Sequence, residues 1–418
     1  MATGSPPSQT TLDILGEITS LGDGLKSGSQ GAREGLLSAA SRLIAELQHP
    51  TENALQLLWA QPTHLAVIRM AVEIKLFQAM ESTPATGESS ASIAARCTPE
   101  GAVDPVDPVL VARMLRHLAA MSTVRELGPD VFAPSPTSRA FASDKYQDTI
   151  LYIVDNFQPA LDAGPSYFRA NAFQTPNSSV DAPFQHAFNC KGTHYFEYFD
   201  RVDREMGRRF ASMMDVWSMG RQRWFDADYY PVAERLIAGA ETTASGEDSS
   251  EEKTFLVDIG GGTGHDIKGL RAAFGDQIPG KLILQDRPEV IDLAAVDAGD
   301  EKMAHDFLTE QPIKAARAYF LHSIIQDWPD STNAQILRSL IPAMKRGYSK
   351  LLINDFVLPN AGAHWSQTAL DWELMASLGA RHRTVAEHAA LYEGVGLRIA
   401  GVWKHPRGLD ALVELELA

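Results

Sequence analysis

The sequence predicts an α/β fold, with a helical N-terminal part that includes a winged helix and a C-terminal Rossmann-like domain. After residue 254, short β-branched or apolar runs such as "FLVDIG", "KLILQD" and "KLLINDFV" alternate with helical stretches. This alternation indicates a parallel, doubly wound sheet, whose ligand lies at the carboxyl ends of the strands. Before residue 240, apolar residues recur at three- and four-residue spacing, which indicates helices.

The composition of the 418-residue chain indicates a globular protein with two or three domains. Hydrophobic residues make up 44% and charged residues 22% of the chain, which is too apolar for general disorder. The formal net charge is −16, and the sequence contains no Lys/Arg block. Because this charge repels phosphate backbones and anionic membranes, we expect no nucleic-acid partner and no membrane partner.

The cysteines and the amino terminus predict a cytoplasmic protein. Cys97 and Cys190 lie far apart in the sequence, which indicates a reducing compartment and buried thiols rather than a disulfide framework. The start "MATGSPPSQT" lacks the basic and apolar segments of a signal peptide, and no run of about 18 apolar residues follows.

The first 145 residues predict two successive elements. Residues 1–50 form a mobile arm, rich in Gly, Ser and Gln over the first thirty residues, that continues into a helix around "AREGLLSAASRLIAELQH". Residues 51–145 begin with a long amphipathic segment whose few polar faces favour burial against other helices or a second subunit. A short helix, a longer helix and a strand pair turning at "GPD" then give the order of a winged helix.

Residues 146–240 predict a helical connector that is unusually aromatic. Such aromatic residues form either plain core or the wall of a pocket for an apolar substrate. The acidic stretch "AETTASGEDSSEEK" then predicts a solvated loop, which leads into the Rossmann-like domain at residues 241–418. The candidate pocket residues, chosen by position, are Phe157, Tyr195, Phe210, Met214, Trp217, Trp372 and Met375.

The stretch "FLVDIGGGTGHD" predicts a ligand-binding turn between a strand and a helix. Asp258 ends the strand, and glycines in the turn let the backbone approach a ligand closely. His265 occupies the place of the third glycine of a dinucleotide fingerprint, so a nicotinamide cofactor is less favoured. Asp286, after the second strand, is placed to accept hydrogen bonds from a ribose diol. The glycines of the turn are Gly260, Gly261, Gly262 and Gly264.

With Asp306 in "AHDFLTE", Asp355 in "INDFVLP" and the segment "DWELMASLGARHRT", this pattern resembles the fungal and plant-type small-molecule O-methyltransferase family. The resemblance covers about residues 53–417. It implies an N-terminal all-α/winged-helix dimerisation domain, a C-terminal Rossmann-like domain that binds S-adenosylmethionine (SAM), a homodimer, and a hydrophobic small-molecule substrate. It implies no metal.

The resemblance also implies cofactor contacts for individual residues. Asp258 and the glycines of the turn would contact the methionine part of SAM, and Asp286, followed by Arg287, its ribose. Asp306 and Phe307 would contact the adenine. His322 stands where the family often has Lys or Arg near the cofactor.

The predicted catalytic corner, "HSIIQDWPD", departs from the family at Gln326. Active members have His-Asp-Trp or His-Asp-Tyr there, and the histidine removes a proton from the acceptor hydroxyl. A histidine with a pKa near 6.5 accepts a proton at neutral pH, whereas a primary amide does not. Losing a positioned general base typically costs about 10²–10⁴-fold in rate. We take Gln326, Asp327 and His322 as the catalytic candidates.

Three functions are compatible with this corner. The favoured one is a SAM-assisted pericyclic reaction, a dehydration or cycloaddition of a polyketide or pyridone without methyl transfer, as in the methyltransferase-like pericyclase branch; Gln326 would donate an N–H to a substrate carbonyl. The second is ordinary O-methylation of a phenol or enol that ionises unaided or uses a displaced base. The third is a catalytically silent subunit that supports a partner enzyme. The candidate displaced bases are His194, His322, His382 and His388.

Overall fold

The computed structural model describes residues 7–99, 101, 104–241, 253–404 and 408–418. The chain forms two compact units, Met1–Asn156 with Asp203–Met219, and Phe157–Val202 with Gly220–Ala418. Among the described residues, no helix has the length and apolar character needed to cross a membrane. The predicted solvated loop falls mostly on residues 242–252, which lie outside the described residues.

The helices are distributed over both units. In chain order they are α1 (Gln9–Lys26), α2 (Ala32–Leu47), α3 (Pro50–Leu55), α4 (Gln61–Glu73), α5 (Leu76–Ala79), α6 (Ser90–Ala94), α7 (Pro108–Ala120), α8 (Pro136–Phe141), α9 (Asp144–Tyr152), α10 (Gln158–Asp162), α11 (Gly164–Ala170), α12 (Pro183–Ala187), α13 (Tyr195–Arg201), α14 (Arg204–Ser218), α15 (His265–Phe274), α16 (Pro288–Leu293), α17 (Asp330–Leu340), α18 (Trp365–Leu378) and α19 (Val385–Glu393). Short π-helical turns cover Gln56–Ala60, Ile153–Phe157 and Ala233–Ile237, and 3₁₀ turns cover Gly275–Gln277, Ile325–Asp327 and Ile341–Ala343.

The strands form one small and one large sheet. They are β1 (Glu88–Ser89), β2 (Val124–Gly128), β3 (Val131–Pro134), β4 (Thr254–Ile259), β5 (Lys281–Asp286), β6 (Glu301–Ala304), β7 (Ala318–His322), β8 (Lys350–Leu358), β9 (Arg383–Thr384), β10 (Leu397–Lys404) and β11 (Asp410–Leu417).

The first unit contains the predicted winged helix. Its small antiparallel sheet has the order β1-β3-β2, and β2 and β3 turn at Pro129 and Asp130, the turn predicted from "GPD". Helices α4 to α7 bury a core against this sheet that includes Phe77, Leu115 and Phe132, each 0% exposed. The winged-helix order read from the sequence is confirmed.

The predicted mobile arm is wrong for residues 9–26, which form α1. Ser8 caps this helix, since its hydroxyl accepts a hydrogen bond from the backbone N–H of Thr11 at 3.0 Å. Helix α1 pairs with α2, and Arg42 donates to both carboxylate oxygens of Glu17 at 2.7 Å. Part of the Gly and Ser content that suggested an arm lies within α1 itself, at Gly16, Ser20, Gly22 and Gly24. Another part lies in the connection after α1, where Gly28 and Gly31 take positive φ.

The second unit is built on an eight-stranded mixed sheet. Its order is β10-β11-β8-β7-β4-β5-β6, with β9 beside β8; β4 to β9 pair in parallel, while β11 is antiparallel to both neighbours. The doubly wound sheet is confirmed, with an antiparallel edge that the sequence did not predict. The chain order reverses between β4 and β7, and ligands bind at such a switch point. The carboxyl ends of β4, β5 and β7 carry Asp258, Asp286 and His322.

The second unit also contains a buried charge network around Glu414, which is 0% exposed. Its carboxylate accepts from Tyr230 Oη at 2.8 Å, from Arg235 Nη2 at 2.6 Å and from Lys350 Nζ. Burial opposes ionisation, but these three donors hold the pKa of Glu414 below its ordinary value.

Glu414→Gln is therefore expected to lower the free energy of unfolding by about 2 kcal/mol, because two cations lose their charged acceptor. Since the pKa of Glu414 is depressed in the folded state, its contribution is present above about pH 4 and is lost as the pH falls below that. Urea unfolding at pH 7 and below pH 4 measures both effects. Glu416→Gln, whose carboxylate is 30% exposed, is the control, and an equal loss there would contradict the prediction.

Candidate functional site

The glycine turn after β4 is shaped by close contacts with the ends of β4 and β5. Gly260 N donates to Gln285 O at 2.8 Å, and Gly262 N donates to Asp286 Oδ2 at 2.8 Å. A Cβ at Gly261 would lie 2.3 Å from Asp258 Oδ2, so no side chain fits there. The turn thus brings bare backbone to the carboxyl edge of the sheet. Positive φ occurs at Gly260, Gly262 and Gly264.

Asp258, near the carboxyl end of β4, is a fully buried carboxyl group. It is 0% exposed, and neither of its oxygens accepts a hydrogen bond from any described residue. Burial raises the pKa of Asp258 well above its ordinary value, and the charges of Asp266 and Asp286 raise it further, while His322 opposes them. Such a group needs a cationic or hydrogen-bonding partner. The ammonium end of SAM supplies one, so the residues present fit this cofactor.

His322, at the end of β7, is held as a cation. Its Nδ1 lies 2.8 Å from Asp266 Oδ2, and its side chain is 38% exposed. Burial lowers the pKa of His322, but the charge and hydrogen bond of Asp266 outweigh it and raise the pKa to about 9. An imidazole that is already protonated at neutral pH does not accept a substrate proton. His322 therefore suits the predicted contact with the cofactor better than the role of a general base.

The predicted ribose and adenine residues lie along β5 and β6. Both Asp286 oxygens are engaged by backbone N–H groups, from Gly262 at 2.8 Å and from Arg287 at 2.7 Å. The Arg287 guanidinium pairs with Asp200 at 2.5 Å.

On the adenine side, Asp306 Oδ1 accepts from Leu308 N at 2.9 Å, and the Phe307 ring meets the Trp328 ring edge-on at a centroid distance of 5.8 Å. The ribose and adenine assignments stay predictions.

Gln326 lies in the 3₁₀ turn after β7 and is 7% exposed. Its backbone N donates to Asp355 Oδ2 at 3.0 Å, and its side-chain Oε1 accepts from Phe356 N at 3.2 Å. Because a backbone N–H only donates, this bond fixes which end of the amide is oxygen. The two N–H bonds of Nε2 have no acceptor among the described residues, so Gln326 offers a donor and no base.

Two carboxyl groups flank this amide. Asp355 is 1% exposed, its Oδ1 has no partner in the described part of the chain, and burial raises its pKa to about 7. Burial and the charge of Asp355 also raise the pKa of Asp327 well above its ordinary value. Both effects favour the protonated form of the predicted candidate Asp327.

Arg383, which the sequence analysis did not single out, fixes the corner in place. It is 1% exposed and donates to Ile325 O at 3.1 Å, to Trp328 O at 3.1 Å and to Asp330 Oδ1 at 2.6 Å. The only sequence signal was an arginine in "GARHRT", a segment already noted for family resemblance.

His194 is not a free base, although it lies next to the corner. Its ring stacks on Trp328 at a centroid distance of 4.7 Å. Its Nδ1 accepts from Phe196 N at 3.3 Å, so the proton of the neutral ring is on Nε2. Burial, with Arg287, lowers the pKa of His194 to about 4.

His382 and His388 are both buried, at 3% and 1% exposure. His388 Nδ1 is engaged with Tyr392 Oη at 2.9 Å. His382 Nδ1 lies 3.1 Å from Gln367 O, and because a carbonyl only accepts, Nδ1 carries the proton. His382 Nε2 therefore has a lone pair, with no donor among the described residues.

The predicted substrate-pocket residues are divided between the two units, and their assembly into one pocket stays a prediction. Tyr195, 2% exposed, packs in an aromatic cluster with Phe184 and Phe199. Met214 and Trp372 are 38% and 57% exposed. Phe210, Met214 and Trp217 belong to the first unit, and Phe157, Tyr195, Trp372 and Met375 to the second.

Known proteins resemble the chain along its whole length. Residues 247–398 match the O-methyltransferase domain family. The chain is 33% identical to the O-methyltransferase mpaG of Penicillium brevicompactum, with 100% of both chains covered. A solved structure described as a pericyclic reaction enzyme has a TM-score of 0.81 and 26% identity, covering 98% of this chain and 100% of that one. The LepI complex with SAM has a TM-score of 0.82 and 25% identity, with the same coverage.

Proposed function

This chain belongs to the SAM-dependent O-methyltransferase family of fungal secondary metabolism, and we propose that it transfers the methyl group of SAM to a hydroxyl of a hydrophobic natural product. The structural observation that carries the proposal is the buried Asp258, whose carboxyl oxygens have no hydrogen-bond partner among the described residues, beside a turn that admits only glycine at position 261. This arrangement favours a cationic ligand approached by backbone, which suits the methionine end of SAM. A full-length relative named an O-methyltransferase supports methyl transfer as the chemistry.

Incubation with methyl-labelled SAM and a panel of phenols, enols and pyridones tests this proposal. Label is expected in an organic product, and calorimetry on the same preparation reports whether SAM binds. If SAM binds and no label moves to any acceptor, methyl transfer is the wrong function.

A second candidate is the pericyclic reaction without methyl loss, and a specific observation favours it. Gln326 Oε1 is held by Phe356 N, which leaves its Nε2 as an oriented donor for a substrate carbonyl. The likeness to a pericyclic reaction enzyme is compatible with this use of the corner. A third candidate, the silent partner subunit, fails if the isolated protein turns over any substrate.

Gln326→His separates the first two candidates. The imidazole restores a proton acceptor, so methylation of a weakly acidic phenol is expected to rise at least tenfold. A cyclisation that needs the amide donor is expected to fall by a similar factor. Initial rates from label transfer and from product chromatography measure the two effects, and Gln335→His, on α17, is the matched control. Unchanged rates of both reactions would remove Gln326 from the chemistry.

We further propose a homodimer formed through the first unit, because this unit exposes apolar side chains that a monomer does not need. Leu58 and Trp59, in the π-helical turn before α4, are 72% and 69% exposed. Leu47, at the end of α2, is 63% exposed.

Leu58→Glu is expected to shift the protein from dimer to monomer in sedimentation velocity, because burying a carboxylate in an apolar interface is costly. The control is Leu293→Glu, which alters a side chain that is 80% exposed on the second unit. A wild-type protein that sediments as a monomer would contradict the homodimer.

A further inference from the structure

Two hydrogen-bonding groups of opposite character, neither with a partner among the described residues, lie close to the same residue, Phe356. Gln326 Oε1 accepts from Phe356 N, which leaves Gln326 Nε2 as a donor. Strand β9 pairs with β8 with Val357 opposite Arg383, so His382 lies beside Phe356, and the two rings are 5.1 Å apart. A donor and an acceptor therefore flank the carboxyl end of β8.

The acceptor, His382 Nε2, is held in a fixed orientation. The His382 backbone N donates to Asp371 Oδ1 at 2.6 Å, and Nδ1 donates to Gln367 O at 3.1 Å. These bonds set both the ring position and the tautomer. A buried acceptor that finds no donor costs about 1–3 kcal/mol, which a bound hydroxyl would offset.

We propose that His382 and Gln326 together recognise a hydroxyl next to a carbonyl, so that the acceptor substrate is a β-keto enol or an ortho-hydroxyaryl ketone. The hydroxyl donates to His382 Nε2, and the carbonyl accepts from Gln326 Nε2. This inference rests on the proposed O-methylation, whose acceptor class and proton acceptor it names.

The chemistry balances with these residues. The substrate O–H bond breaks and its proton passes to His382 Nε2, while the oxygen bonds to the methyl carbon of SAM and the S–C electron pair stays on sulfur. The products are a methyl ether, S-adenosylhomocysteine and an imidazolium, which returns its proton to water.

The weakness of this base agrees with a hydroxyl that is conjugated with a carbonyl. Burial lowers the pKa of His382 to about 4, and Arg383 contributes in the same direction. So weak a base serves a hydroxyl that is already acidic. Conjugation with an adjacent carbonyl delocalises the charge of the oxyanion, and a donor on that carbonyl stabilises it further.

Binding to protein loaded with S-adenosylhomocysteine tests the inference without catalysis. The probes are 1-hydroxy-2-acetonaphthone, whose hydroxyl and acetyl groups are adjacent, and its isomer 4-hydroxy-1-acetonaphthone, in which these two groups are not adjacent. Wild-type protein is expected to bind the first at least about tenfold more tightly, since a good hydrogen bond in a buried site contributes about that factor. His382→Phe and Gln326→Leu are each expected to abolish the preference. His388→Phe, which alters an equally buried histidine, is expected to keep it.

The outcomes separate this inference from the proposed function. Equal affinity of the wild type for the two isomers, including none for either, overturns it, as does a preference that survives in a folded His382→Phe variant. If His382→Phe does not fold, the Gln326→Leu result decides. In the label assay, methylation with unchanged kcat in His382→Phe overturns the inference and leaves methyl transfer intact. If the wild type prefers the first isomer but transfers no label, methyl transfer is wrong, and the recognition of the hydroxyl and carbonyl by His382 and Gln326 still holds.

Discussion

Arg383→Leu is expected to lower the free energy of unfolding by about 3–5 kcal/mol. Arg383 is 1% exposed and donates to the backbone oxygens of Ile325 and Trp328 and to Asp330. Leucine removes all of these hydrogen bonds, and a buried hydrogen bond from a charged donor contributes about 1 kcal/mol or more. Asn333 Nδ2 stays as a second donor to the two carbonyls, at 2.8 and 2.7 Å, so each of them loses one of its two donors. Urea unfolding, with midpoint and slope compared with the wild type, measures the loss.

Arg381→Gln is the matched control, because Arg381 pairs with the same Asp330. Its side chain is 43% exposed, and exposed ion pairs contribute about 0–1 kcal/mol. The Arg381 variant is therefore expected to stay close to the wild type. If the two variants lose equal stability, the buried carbonyl contacts are not what holds the corner.

The strands and the glycine turn were predictable because their signals are local. The runs "FLVDIG" and "KLILQD" place β4 and β5, and the glycines between Ile259 and His265 mark a turn whatever the rest of the chain does. The antiparallel edge of the sheet was not predictable in the same way. Strand β11 lies between β8 and β10, and this order depends on pairing over long sequence separations rather than on any local pattern.

The corner could be located but not interpreted from the sequence. Gln326 was evident as a missing histidine, whereas the direction of its amide depends on Phe356, thirty residues later. His322 resembled a possible base, but the carboxylate of Asp266, 56 residues earlier, raises its pKa to about 9. The charge state of a side chain depends on such neighbours, which a linear sequence does not reveal.

The prediction of a mobile N-terminal arm was wrong for a different reason. Composition suggested mobility, but α1 packs against α2, and Ile14 of α1 and Ala39 of α2 are buried, at 6% and 0% exposure. Tertiary packing of this kind overrides weak local preferences.

Asp258→Asn is expected to keep or raise the stability of the free protein but to weaken the binding of SAM. In the free protein, burial raises the pKa of Asp258 well above its ordinary value, and neither oxygen has a partner among the described residues. A neutral amide removes this cost, so the melting temperature without ligand is expected to stay the same or rise. The affinity for SAM is expected to fall about 100-fold, because a buried charge pair that loses one partner costs about 3 kcal/mol.

The pH dependence of the folding stability provides an independent test of this role for Asp258. An acid whose pKa is raised in the folded state binds more protons there than in the unfolded chain, so wild-type stability declines as the pH rises above about 4 towards that raised value. The Asn variant lacks this decline, so its advantage is expected to grow with pH over the same range. Thermal melts across this range and titration calorimetry with SAM measure the two effects, with the exposed Asp276→Asn as control. An Asn variant that binds SAM as tightly as the wild type would show that the carboxyl group of Asp258 does not serve the cofactor.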